Sequence, residues 1–165
     1  MHGSIQFASS VMAVGVGATA VMDIWLQGLR KAGVPTQNFA MLGRWIGHIS
    51  DGKWFHSAIG KAAPVKGEAL IGWTAHYSIG VGFAVLLICV QGPAWLAAPT
   101  AGPALLVGAL TVAAPLLVLQ PALGAGIAST RTASPVRNSI KSLANHLVFG
   151  FGLYVAAMAL QVMRG

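Results

Sequence analysis

Four ionisable side chains lie within or at the edge of apolar runs: Asp23, Glu68, His76 and His146. Imidazole nitrogens and carboxylate oxygens are donor types that suit zinc or iron. Two histidines on different helices can also take the opposing axial positions of a non-covalent haem b. The same groups can carry protons. A charge at the bilayer centre costs at least ~2.5 to 3.5 kcal/mol on insertion scales, so an ionisable residue retained there is a candidate for function. Gly80 and Gly150 follow the two histidines at four-residue spacing, which on a helix leaves room beside each ring for a porphyrin edge. A second group, His48, Asp51 and His56, falls in a more polar stretch and forms a separate candidate site.

The spacing says what must position these groups. Gly15, Thr19, Asp23 and Gln27 recur every four residues, as do Glu68, Gly72, His76 and Gly80, and then Asn138, Ser142, His146, Gly150 and Tyr154. Such spacing puts small and polar residues on one face of a helix. Small residues permit close helix approach and polar groups are costly against lipid, so both effects turn these stripes toward a bundle interior.

Composition sets the medium. The 165 residues are 56% hydrophobic and 8% charged, against about 25% charged in a typical soluble domain; the mean hydropathy is +0.73. A soluble enzyme and a nucleic-acid binder are excluded, and the lipid bilayer is the expected partner. Four runs, 5–29, 68–91, 102–120 and 138–163, are long enough to span its core. The net charge of +7 is a topology signal. Arg30, Lys31, Arg44, Lys53, Lys61 and Lys66 lie between the first two runs, and Arg131, Arg137 and Lys141 between the last two. Basic loops stay on the cytoplasmic side, which predicts both termini outside a bacterial inner membrane. Pro115 predicts a kink in the third span. Residues 36–60 read as an amphipathic cytoplasmic segment lying on the membrane surface, with Trp45, Trp54 and Phe55 beside Arg44 and Lys53. The lone Cys89 excludes an internal disulfide. No G-x-S-x-G, P-loop or H-E-x-x-H signature is present, and whether the chain is an enzyme stays open.

An internal repeat is also legible. At an offset of 70 the second and fourth runs both read H-x-x-x-G-x-G, from His76 and from His146. At an offset of 93, Gly15 falls over Gly108, Leu26 over Leu119 and Gln27 over Gln120. This predicts two helical hairpins of one orientation, related by an axis along the membrane normal.

The stretches GATAVMD from Gly17, GRWIGH from Gly43, GEALIGWTAHYSIG from Gly67 and NHLVFGFGLY from Asn145 resemble a family of small four-span bacterial inner-membrane proteins catalogued as a domain of unknown function. The resemblance implies four spans and an inner membrane, and no activity. The expected fold is an all-α, four-helix membrane bundle. The leading functional expectation is a haem or transition-metal site on His76 and His146, with Asp23 and Glu68 as further metal ligands and Gly80 and Gly150 beside the cofactor. The alternatives are a small oligomeric transporter or proton-pathway subunit, and a structural accessory subunit of a larger membrane complex.

Overall fold

A computed structural model describes residues 2–164, and all regular structure among them is helical. Helix α1 covers His2–Lys31, α2 Phe39–Ile49 and α3 Glu68–Gln91. Helix α4 runs over Ala101–Leu123 and α5 over Pro135–Val162. Four of these, α1, α3, α4 and α5, are long and apolar enough to cross a membrane. The polar, glycine-containing and proline-containing stretches between the runs end each helix. Gly33, Gly92 and Gly124 take positive φ at these exits, where only glycine lacks a steric penalty.

At Pro115 the span departs from regular α-helical geometry. It carries no N–H for the carbonyl four residues back, and its ring crowds that carbonyl. The helix answers with a π-helical turn over Ala114–Leu119, closed by the Gln120 N–H donating to the Pro115 carbonyl. The span then continues to Leu123.

The chain divides into two compact units. The first comprises residues 1–35, 77–111 and 145–165, and holds the main apolar core. Val14, Ala18, Leu87, Ala104, Phe149 and Leu153 are buried there. Glycines set its helix crossings. A Cβ on Gly15 would stand 2.6 Å from the Val81 Cα, and one on Gly108 would stand 2.7 Å from the Gly150 Cα. Gly17 meets Ala156, and Gly152 meets Ala18. Such backbone contacts supply the van der Waals attraction that holds helices together in lipid. Gly150→Leu is therefore expected to destabilise the unit by ~1 to 3 kcal/mol or more, since overpacking here pushes against backbone. A drop in the melting temperature of detergent-solubilised protein measures it.

The second unit comprises residues 36–76 and 112–144. Asn38 caps α2 by accepting the Ala40 N–H, and the α2 face bearing Phe39, Leu42 and Gly43 is buried. Gly43 lies against the Glu68 carbonyl, and Gly72 against that of Phe39, too closely for either to carry a Cβ without displacement. After α4, Ala128 (φ 49°) and Ser129 (φ 63°) adopt left-handed backbone. Side chains brace this turn: Ser129 donates to Gln120, Gln120 to Ser142, and Ser139 to the Ala128 carbonyl.

Candidate functional site

In the first unit α1 brings Asp23 to α3, where the Tyr77 hydroxyl donates to Asp23 Oδ2 at 2.9 Å. Near it, Trp25 Nε1 donates to Asn145 Oδ1 at 3.0 Å, joining α1 to α5. His146 meets α4. The Thr111 hydroxyl donates to the Gly108 carbonyl at 2.8 Å and lies 3.0 Å from His146 Nδ1. A hydroxyl has one proton, so Thr111 accepts from His146 Nδ1–H. Tyr77, Trp25, Asn145 and Thr111 join α1 to α3, α1 to α5 and α4 to α5 through polar contacts. Sequence reasoning passed over all four as functional residues, although each is a polar or amphipathic side chain within an apolar run.

In the second unit Glu68 is engaged by Arg44. The guanidinium Nε donates to Oε2 at 2.8 Å and NH2 to Oε1 at 2.7 Å, a bidentate pair whose side chains are 10% and 18% exposed. Arg44 NH1 also donates to the Ala62 carbonyl at 3.1 Å, and the Val65 N–H donates to Glu68 Oε2. Hydrogen bonding to Glu68 raises the Arg44 pKa above its ordinary value, so the guanidinium stays charged. Arg44 was expected on the membrane surface as a topological charge; the structure buries it as the ion-pair partner of a candidate site residue.

His76 is buried and stacks on Phe39, with ring centroids 3.9 Å apart and planes inclined by 23°. Trp73 contacts both rings. His48 and His56 do come together: His48 Nδ1 and His56 Nε2 are 2.8 Å apart. Asp51 lies exposed on the turn that follows α2, its N–H bonded to the His48 carbonyl.

These positions define the surroundings of three of the expected cofactor residues. The space at Gly80 is filled by Thr19 and Gly15, and the space at Gly150 by Ala104, Leu105 and Gly108, so neither glycine opens room for a porphyrin edge. The glycines serve helix contact instead. Glu68 is held by Arg44 rather than presented to a metal. Among the described residues, no group of three or more His, Cys, Asp or Glu side chains is placed to hold a metal ion. Asp23 and His146 belong to the first unit, whereas Glu68, His76, His48, Asp51 and His56 belong to the second.

The helices define an all-α polytopic membrane protein with four spans. The chain belongs to the family described as "Protein of unknown function (DUF2938)", whose model matches residues 12–160. No curated protein and no solved structure matches it.

Proposed function

We propose that the protein is a small proton-coupled transporter or proton-pathway subunit of a bacterial inner membrane, working as a homo-oligomer with both termini outside. The observation that carries this reading is the Asp23 carboxylate hydrogen-bonded by Tyr77 at 2.9 Å inside a candidate span. The chain has only three acids, and Glu68 is committed to Arg44. An acid kept at membrane depth marks a proton or ion path by its cost. As a carboxylate, Asp23 accepts from Tyr77; a proton arriving on Asp23 replaces that charge and weakens the bond, so loading is coupled to the contact between α1 and α3. The repeat expected from the sequence adds support. The crossing of Gly15 on Gly80 and Val81, and that of Gly108 on Gly150, involve residues matched by the offsets of 93 and 70. Repeats related by an axis along the membrane normal occur in transporter folds.

Proteoliposomes loaded with a pH-reporting dye test this. The wild type is expected to relax an imposed proton gradient, and Asp23→Asn to abolish that flux while its melting temperature stays near the wild-type value. Wild-type protein that moves neither protons nor any tested ion would overturn the reading, and co-purification of a larger membrane protein would then favour the accessory role.

A further inference from the structure

The connection from α2 to α3 carries two exposed aromatic side chains on an anchored backbone. Trp54 is 56% exposed and Phe55 75%. The chain reverses at Gly52, whose φ is +74°, and the Lys53 N–H returns to the His48 carbonyl at 3.0 Å. Trp45 Nε1 donates to the Trp54 carbonyl at 2.9 Å, and the His48–His56 contact holds the following residue. The His56 N–H then donates to the Ala122 carbonyl at 2.9 Å, and Gly124 lies against the Ser57 backbone more closely than a Cβ would permit. Backbone on both sides of the two aromatics is therefore fixed, while their side chains point away from the unit.

Ala122 belongs to the last turn of α4, the third candidate span. The tip is thus tied to the level at which a span leaves the hydrocarbon. Lys53, Lys61 and Lys66 are exposed in the same connection, and Asp51 is the only acid between Ile49 and Gly67. Tryptophan and lysine at the end of a span are the residue types that settle at the membrane interface, and lysines favour anionic headgroups. The surface segment expected over 36–60 also needs narrowing. Helix α2 turns its Phe39, Leu42 and Arg44 into the unit, so it does not present them to lipid.

We infer that the Trp54–Phe55 tip is a preformed interfacial anchor that inserts at the headgroup–acyl boundary of an anionic leaflet, with Lys53, Lys61 and Lys66 contacting the phosphates. The occupant is anionic phospholipid. Because the backbone is already held, little conformational freedom is lost on insertion. The inference depends on the membrane location of the chain and not on proton coupling.

The test uses the full chain with Cys89→Ala, labelled at Phe55→Cys with an environment-sensitive fluorophore and reconstituted into phosphatidylcholine–phosphatidylglycerol vesicles. Spin-labelled lipids carrying a shallow nitroxide should quench the label several-fold more strongly than aqueous iodide does, and removing phosphatidylglycerol should reduce the lipid quenching. The same label at Asp51→Cys should show the opposite preference. Iodide quenching at position 55 equal to that at position 51, with no effect of nitroxide lipid, would overturn the inference. A position 55 label shielded in native membranes but iodide-accessible in pure lipid vesicles would overturn it in favour of a protein partner. Intrinsic fluorescence gives an independent reading on the unlabelled chain. Trp54→Phe should remove a component quenched by brominated lipid, and an unchanged quenched fraction would count against insertion.

Discussion

Gly43→Leu is expected to lower the melting temperature of the protein sharply and to expose the α2–α3 connection to protease. Gly43 and Gly72 face each other across the crossing of α2 on α3. A Cβ on Gly43 would run into the Glu68 carbonyl and stand 2.7 Å from the Gly72 nitrogen, while a Cβ on Gly72 would run into the Phe39 carbonyl. Neither obstacle is a side chain able to change rotamer, so relief requires the helices to part. Parting them disturbs the Phe39–His76 stack on one side and the Arg44–Glu68 pair on the other. Overpacking in a well-filled core commonly costs ~1 to 3 kcal/mol, and a rigid backbone obstacle places this case at the upper end or above it. Gly43→Ala should act in the same direction with a smaller loss. Gly60→Ala is the control, because nothing lies within 4 Å of the Cβ it would add. Equal melting temperatures for Gly43→Leu and Gly60→Ala would contradict the crossing described here.

Glu68→Leu is the second large effect. It removes the carboxylate that takes two hydrogen bonds from Arg44, yet leaves the guanidinium in place with its contact to the Ala62 carbonyl. Breaking one side of a buried pair strands the other charge, whereas replacing both by apolar residues of similar volume is often neutral or stabilising. The expected result is a marked loss of thermal stability for Glu68→Leu, larger than for the surface change Lys66→Gln. Arg44→Met/Glu68→Leu should then lie closer to the wild type than either single variant. A double variant that showed only the sum of the two single losses would mean that the pair is not coupled.

Much of the fold is legible in the chain because lipid imposes a simple requirement. Continuous apolar runs of about twenty residues identify spanning helices, and the four-residue recurrence of Gly15, Thr19 and Asp23 selects the face that turns inward. Thr19 and Gly80 are indeed buried. What a face meets is not written in its period. Gly80 and Gly150 signal close approach, but a helix and a cofactor make the same demand on sequence, and here neighbouring helices fill the space. Arg44 reads as a loop charge because its partner is Glu68, far along the chain and at the start of a span. The aromatic and basic residues of 36–60 advertise an interface, yet only tertiary packing separates buried Phe39 from exposed Phe55. Pro115 announces a disturbed helix without saying whether it bends or widens; the π turn keeps the span continuous.

The contact between His48 Nδ1 and His56 Nε2 has a stoichiometry. A nitrogen-to-nitrogen hydrogen bond holds one proton and needs one lone pair, so one ring donates and the other accepts. His56 Nδ1 is buried without a hydrogen-bond partner among the described residues, so the second ring position offers no compensating bond in either tautomer. Two rings eight residues apart are therefore joined by one shared proton, at the point where the polypeptide is tied back to α2.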